Sequence, residues 1–517
     1  VMLLIGLSIL GGCTGTPAPL DRATREQAAE EVRERLPRDE VGGVLASGFY
    51  TISERALKPV SVRALGLEGM RGLATIDPEI IIEEDSGMIN VFYGDHRVKT
   101  VVEPLDYDSE SWADAVYEVV QALWPYSVDV AATNSERIYE AVFDAALSNL
   151  DIFSRYAGQE EAETYRDRRD GFGGLGLSLR KNDERFLVSF IDVHGPVYKA
   201  GVRKGDMLIS VNARPVIGHS LHDVRDWLRG KIQTEVELEI ERPDTGIAQK
   251  LYAWRELVIP QTVWSRYKNG VLFARITGFN EKTVSSLLHD VQEYIVQYEQ
   301  DLNGIVLDLR GNPGGLLKRA VQVADLFIAG GRIIATKGRH PDSFEYYEAD
   351  GRDVAQGRPL VVLLNGKSAS ASEIVAAALQ DRHRAVVVGS SSYGKGTVQS
   401  VQRLPNDGEI TITWSRLIAP SGYSFHGLGV RPSVCTSGVR LKAAQAAPLF
   451  ETDGSALLAH WRSVAINDRK GRQDLRNTCT PDPNKKGIDL TVAGNIVRDY
   501  GLYKRLTGSA TLATIAQ

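Results

Sequence analysis

Three serines and a lysine carry the chemistry this sequence could perform. Lys367-Ser368-Ala369-Ser370-Ala371-Ser372-Glu373-Ile374 follows an apolar run at 360–364 closed by Asn365-Gly366, the pattern of a buried strand ending in a turn. The Ala-rich stretch at 374–379 then reads as a buried helix. A serine on such a turn is exposed near the positive end of a helix, where a nucleophile and its oxyanion donors can be held together. A second apolar run, 385–388, ends in Gly389 and leads to Tyr393-Gly394-Lys395-Gly396, placing Lys395 25 residues after Ser370. Ser370 and Lys395 are the pair expected to meet in space, as nucleophile and general base.

A lysine ammonium, with a reference pKa of about 10.4, cannot take a proton at neutral pH. Burial among apolar groups can bring it down to roughly 7–8, the range a general base needs. Gln399, four residues on, could orient the amine, because its amide oxygen accepts from a lysine N–H. Asn312-Pro313-Gly314-Gly315 follows another apolar run at 304–308, and glycine backbone there can approach a substrate closely. The oxyanion hole is expected from the N–H of Ala371 plus that of Gly314 or Gly315.

Other chemistries fit less well. Residues 389–395 match most of a phosphate-binding loop, but Gly396 stands where the magnesium-binding Ser or Thr belongs. The alternation after it, Thr397-Val398-Gln399-Ser400-Val401, predicts a strand rather than the helix such a loop needs. His383 lies just past the helix that follows Ser370, too close to oppose it, and no other histidine falls in a motif. No histidine–carboxylate cluster has metal-ligand spacing, so no cofactor or metal is expected.

These residues need elements to hold them. The 517 residues leave room for about three domains. With 43% hydrophobic and 24% charged residues, a net charge of −6 and a pI near 6.0, the chain reads as folded, with no nucleic-acid partner. Residues 1–20 form an apolar leader and tether, and 21–165 a mostly helical region opening on a helix at 22–36. A strand pair is expected between 80 and 93. Arg63, Leu73 and Ile76-Asp77 recur at constant offset as Arg137, Leu147 and Leu150-Asp151, a weak sign of a duplicated helical unit.

Residues 168–245 predict a small β-rich domain, with strands at 186–191, 207–211 and 236–240 and a helix at 221–228. Gly195-Pro196-Val197-Tyr198-Lys199-Ala200-Gly201-Val202 and Lys204-Gly205-Asp206 resemble the signature of a PDZ domain. That resemblance places its peptide-binding loop on Gly174, Leu175, Gly176 and Leu177, whose successive N–H groups would cradle a free carboxylate while the peptide adds as a strand. Residues 250–436 alternate strand and helix, an α/β core, and 437–517 form a polar extension of no assigned role.

The motifs together resemble the C-terminal processing (tail-specific) serine peptidases. The likeness runs from Leu150-Asp151 and Ser154-Arg155-Tyr156 through the PDZ signature, Leu307-Asp308-Leu309-Arg310-Gly311-Asn312-Pro313-Gly314-Gly315 and Ser368-Ala369-Ser370-Ala371-Ser372-Glu373-Ile374. It continues through Gly394-Lys395-Gly396-Thr397-Val398-Gln399 and Pro420-Ser421-Gly422 to Gly427-Leu428-Gly429-Val430. It implies a multidomain α+β protein with a peptidase core of the ClpP/crotonase-like type. The family's catalytic Ser, Lys and Gln fall on Ser370, Lys395 and Gln399, and the 25-residue spacing selects Ser370 from its neighbours. Ser368 and Ser372 are then turn or cap residues, and Asp381 is read as structural. One departure is Ser433, where the family usually has Asp. The resemblance implies a serine endopeptidase that reads protein C-terminal tails, acts through an acyl-enzyme and leaves room for an adaptor or regulator. The reading from another class is a silent PDZ scaffold that only binds tails.

The apolar run at 2–10 has the length of a signal h-region and is too short to span a bilayer. Leu10-Gly11-Gly12-Cys13 resembles a bacterial lipobox, implying a lipid anchor at Cys13 on the periplasmic side of the cell envelope; a plain secretory signal is the other reading. Cys435 and Cys479 remain. An oxidising compartment allows them to pair, and two separate buried thiols are the alternative.

Overall fold

Short apolar runs separated by helical stretches build the sheet on which the serine turn sits. The computed structural model describes residues 34–438, 454–485 and 487–508, so the leader, Cys13 and most of the helix expected at 22–36 lie outside the described residues. The chain divides into two compact units. One comprises Val1–Ala162, Arg339–Pro341 and Gln399–Trp414, and the other Glu163–Gly338, Asp342–Val398 and Ser415–Gln517.

In the first unit, helices Arg38–Arg55, Val62–Gly72, Ser109–Leu123 and Ser135–Ser148 pack around Phe49, Trp112 and Phe143, all fully buried. Ser61, Asp108 and Asn134 cap three of them by accepting N–H bonds from the first turn, a contribution of about 1 kcal/mol each. The two stretches that share Arg, Leu and Asp are neighbouring helices. A Cβ on Gly72 would lie 2.1 Å from the Ala141 carbonyl, so glycine sets their approach. The strand pair expected near residues 80–93 is Ile80–Asp85 with Met88–Tyr93, and His96–Val102 extends it to three strands. Of that third strand only Val101 is buried, which left no alternation to read.

In the second unit, Gly195 to Asp206 and the strands around them form the PDZ-like domain. Its strand order places β1 (Leu177–Asn182) at the edge, beside Arg185–Ile191, with Met207–Val211, Glu235–Arg242 and Ile247–Trp254 following. Helix α1 (Leu221–Leu228) is capped by Ser220 and Asp223 and buries Val224 and Leu228. Asp206 explains its own signature: it is buried, accepts the Arg203 N–H at 2.8 Å and pairs with Arg242 at 3.1 Å.

The core sheet runs β2 (Val263–Lys268), β3 (Val271–Ile276), β4 (Gly304–Asp308), then β5 (Leu360–Leu364), β6 (Val386–Gly389) and β9 (Val434–Cys435). Strand β2 is antiparallel to β3 and the rest are parallel. Helices α2 (Thr283–Tyr298), α3 (Leu317–Asp325) and α4 (Ala371–Asp381) join successive strands. Alternate strand residues serve the two faces: Leu307, Leu360, Val362 and Leu364 pack with these helices. Val306, Val361, Leu363 and Val386 face the other way.

That second face is covered by the extension after residue 436. Helix α7 (Gly487–Arg498) sets Val492, Ala493, Ile496 and Val497 on it, followed by α8 (Tyr500–Thr507). Full burial of each Val or Ile contributes roughly 1.5–3 kcal/mol. Before them, α5 (Gly454–Ser463) and α6 (Arg469–Asn477) belong to the same extension. Residues 397–418 form strands β7 (Thr397–Arg403) and β8 (Glu409–Ile418), so a strand does follow Gly396. The start of β8 pairs with Arg155–Ala157 in the first unit, and its end with Gly331–Gly338 in the second.

Candidate active site

Strand β5 delivers the serine turn and α4 carries it away. Ser368 is fully buried; its Oγ donates to Leu309 O at 2.9 Å and accepts the Asn365 N–H at 3.0 Å. Ser372 is fully buried too, with its Oγ donating to Asn312 O at 3.0 Å. Ser370, between them, is half-buried. Its backbone stands at φ 53°, ψ −113°, outside the wells open to an L-residue without cost. Such strain costs of the order of 1–3 kcal/mol and persists only where the surroundings over-determine it. Here Ala369 N–H donates to Asn312 O at 3.0 Å and Ser370 N–H to Glu373 Oε2 at 2.7 Å.

Glu373 is the centre of the arrangement. It is fully buried and accepts from Ser370 N–H at 2.7 Å, Gly394 N–H at 2.7 Å, Lys395 N–H at 2.9 Å and the Ser392 hydroxyl. Ser370 and Lys395 thus donate to the same oxygen, Oε2. Burial pushes the Glu373 carboxyl up to about 7, against the pull of these four donors. The ionised form is the one that matches them. Three of the four are backbone N–H groups, which can only donate, so a proton on Oε2, which meets Ser370 and Lys395, would have no acceptor among them. Lys395 is half-buried, and a further strut, Tyr393 N–H to Ser368 O at 2.9 Å, ties its loop to the serine turn.

The glycine loop after β4 closes over the same point. Gly314 (φ 113°) leaves a side chain only tight space: a Cβ would lie 3.0 Å from Ala369 O and from Ser370 Cβ, and 3.2 Å from Ala371 N. Ala371 is the first residue of α4, where an N–H has no intrahelical partner. Gly314 N–H itself is taken by Asn312 Oδ1 at 2.8 Å. The bridge to Phe279 uses Gly314 O and Leu316 N, not Gly315 N–H. Of the three expected oxyanion donors, Ala371 and Gly315 keep that capacity, while Gly314 supplies the close approach.

Gln399 belongs to the first unit. It is half-buried on β7, with Nε2 3.5 Å from Thr413 Oγ1. Thr413 Oγ1 in turn donates to Asp151 Oδ1 at 2.9 Å, and Asp151 also takes the N–H groups of Phe153 and Ser154. The Leu150-Asp151 and Ser154 motif therefore holds strand β8 at Thr413, the residue beside the Gln399 amide.

On the PDZ-like domain, Gly174, Leu175, Gly176 and Leu177 line a cleft of about 230 Å³ with Leu179, Arg225, Leu228 and Arg229. The Leu175 and Gly176 carbonyls accept from Val197 N at 3.4 Å and Asp192 N at 2.8 Å. Across planar trans peptides, the N–H groups of Gly176 and Leu177 point the opposite way. Edge strand β1 lies beside this loop, the setting in which an added strand can pair.

Two contributors were not assigned from the sequence. Glu373 stands in the serine motif, but its partners arrive from loop 392–395. The extension is the other. The structure joins Cys435 and Cys479 in a disulfide, Arg310 pairs with both Asp308 and Asp489 at 2.8 Å, and Gly366 N–H donates to Asp482 O at 2.8 Å. Asp381 accepts from Ser421 and pairs with Arg462, bonds that join α4 to its surroundings. Among the described residues, His289, Asp290 and Glu293 bring ligand atoms within 4.8 Å of one another. They lie on one stretch of α2 with His289 and Glu293 exposed, a disposition common without an ion.

Comparison with known proteins sets this geometry in context. Residues 270–435 match Peptidase family S41 and 188–242 match a PDZ domain. The carboxy-terminal-processing protease of Bartonella bacilliformis is 36% identical over 308 residues, covering 59% of this chain and 71% of that protein. The carboxy-terminal processing protease CtpA of Bacillus subtilis is 30% identical over 305 residues, 58% of this chain and 64% of that one. Among solved structures, a photosystem II D1 C-terminal processing protease aligns at 25% identity with a TM-score of 0.36, covering 72% of this chain and 92% of that one.

Proposed function

Because the chain belongs to the carboxy-terminal-processing proteases of peptidase family S41, we propose that it is a serine endopeptidase that reads protein C-terminal tails and cleaves upstream of them. The observation that carries the reading is the shared carboxylate oxygen, Glu373 Oε2, on which the backbones of Ser370 and Lys395 converge. In the proposed reaction the neutral Lys395 amine takes the Ser370 hydroxyl proton as Oγ bonds to the scissile carbonyl carbon. The oxyanion forms against the N–H groups of Ala371 and Gly315. As the C–N bond breaks, Lys395 returns the proton to the leaving amine and an acyl-enzyme remains. Water, deprotonated by Lys395, hydrolyses that ester and restores Ser370.

The tail's carboxylate would sit on the N–H groups of the Gly174–Leu177 loop, with the peptide added to edge strand β1. Cleavage of one unstructured, apolar-tailed polypeptide, with its C-terminus free or amidated, tests the whole. Wild-type cleavage that falls on amidation supports both halves of the reading. Tight binding of the free tail with no cleavage of either form would replace it with a tail-binding scaffold.

The site belongs in the cell envelope on this reading. The Cys435–Cys479 disulfide supports an oxidising compartment, and a lipid on Cys13 would hold the enzyme at the membrane. Among the described residues no helix is long and apolar enough to cross a membrane. Intact mass of the mature protein would show the acyl groups, and an unmodified Cys13 would remove the anchor.

A further inference from the structure

The loop that carries Lys395 is held from outside the family-matched region. We propose that Arg476, on α6 of the C-terminal extension, is a positioning residue that fixes the base-bearing loop against its neighbour. The proposal rests on the reading of Lys395 as the general base.

Two loops meet beside Glu373. Residues 392–396 carry Lys395, and residues 425–430 lie alongside: Gly427 N–H donates to Gly394 O at 2.8 Å and Ser392 N–H to Val430 O at 3.2 Å. The Arg476 guanidinium spans both, donating through Nη1 to Leu428 O at 2.5 Å and through Nη2 to Tyr393 O at 3.4 Å. Glycine makes room for it on each side. A Cβ on Gly394 would lie 3.3 Å from Arg476 Nη1, and one on Gly429 3.0 Å from it. A planar, fixed fork of donors suits two carbonyls on different loops in a way that a point charge does not.

Helix α6 is itself anchored. Arg472 Nη2 donates to Ser424 O at 2.9 Å, Trp461 Nε1 on α5 donates to Gly429 O at 3.1 Å, and Cys479, three residues beyond Arg476, is bonded to Cys435 on β9. Arg476 also lies in the field of Glu373: burial lowers its pKa and the Glu373 charge opposes that. Among the described residues Tyr423 also senses the Glu373 charge, and it stands among Asp381, Arg462 and Arg472; Lys395 itself lies against the carboxylate through its N–H. Arg476 therefore acts on Lys395 twice, by holding its loop and by favouring the ionised Glu373 that accepts the Lys395 N–H.

Arg476→Ala, Arg476→Lys and Arg472→Ala separate this role from simple bracing. Arg476→Ala is expected to lower kcat by roughly 10- to 100-fold with KM for a free-tailed substrate within about twofold, since misplacement of a catalytic group acts on the chemical step. It should also shift the acid limb of kcat/KM to higher pH. Arg476→Lys keeps the charge and should return that limb towards the wild-type position while kcat stays low. Arg472→Ala, which loses bonds to Ser424 O and His426 O but none to 392–396 or to 428, should lose stability while moving the limb less than Arg476→Ala does. Amide hydrogen exchange reads the same effect without turnover, as faster exchange confined to 392–396 in the Arg476 variants. Wild-type kcat, pH profile and exchange in folded Arg476→Ala would overturn the proposal, as would losses that merely track stability in all three variants. Should Arg476→Ala not fold, the Arg476→Lys profile and exchange decide alone. If wild type cleaves nothing and Lys395→Ala changes nothing, the base assignment has failed, and the exchange result still reports on Arg476.

Discussion

Gly314→Ala is the substitution for which the structure gives the most definite magnitude. The new Cβ would lie 3.0 Å from Ser370 Cβ and Ala369 O and 3.2 Å from Ala371 N, in the space the proposed mechanism gives to the oxyanion. At φ 113° alanine is also strained, by about 1–3 kcal/mol. Against a native stability of roughly 5–15 kcal/mol that strain leaves the folded population nearly intact. Any large fall in activity must then come from the site. Loss of one oxyanion donor costs roughly 100- to 1,000-fold in kcat, and a filled hole should cost at least as much. The control is Gly311→Ala, in the same loop at φ 77°, where a Cβ meets only the flexible Lys485 side chain at 3.1 Å. Initial rates on a free-tailed polypeptide and urea midpoints are measured for both variants. The expectation is a similar small loss of stability in the two and a large loss of kcat in Gly314→Ala alone. A Gly314→Ala enzyme within a few-fold of wild type, or equal losses of kcat in both, would refute the placement of the hole.

Other outcomes follow from the same geometry. Glu373→Gln turns an amide N–H₂ toward groups that donate, and is expected to lower kcat by about 100-fold or more. Glu373 has its folded-state pKa raised from 4.5 to about 7, so its stabilising contribution is complete below pH 4.5 and is lost as pH rises through 7. On the proposed mechanism activity runs the other way, the carboxylate being the form that holds Ser370 and Lys395. Wild-type thermal midpoints should therefore fall relative to Glu373→Gln between pH 4.5 and 7 while kcat/KM rises, and parallel midpoint curves would count against it. Removing the Cys435–Cys479 bond by Cys→Ser substitution opens a loop with a sequence separation of 44 residues. In the chain-entropy model that costs roughly 4 kcal/mol, read as a lower urea midpoint; an unchanged midpoint would mean the extension is held by packing alone.

Much of this was legible in the residues. The strands at 207–211, 304–308 and 360–364 and the helix at 221–228 have the bounds of the runs read from the sequence, because those runs are short and closed by turn residues. The serine turn and the glycine loop could be found because strand–turn–helix punctuation is local. Glu373 could not be given its role, since two of its three N–H partners come from 394–395 and backbone groups leave no mark in sequence. The extension was read as polar and mixed, although Val492, Ala493, Ile496 and Val497 have helical spacing. Their burial depends on a sheet face built mainly by residues of strands β3 to β6, far earlier in the chain. Arg476 was equally silent, because its partners are two carbonyls.

The central claim is that Ser370 attacks and Lys395 moves the proton. Single-turnover cleavage of one free-tailed polypeptide by wild type, Ser370→Ala and Lys395→Ala, followed by mass spectrometry of the enzyme, tests it most directly. The account predicts a transient acyl adduct on Ser370 and product release in wild type, and neither in the two variants, while both still bind the tail. Cleavage by Ser370→Ala, or an adduct on any other residue, would contradict it.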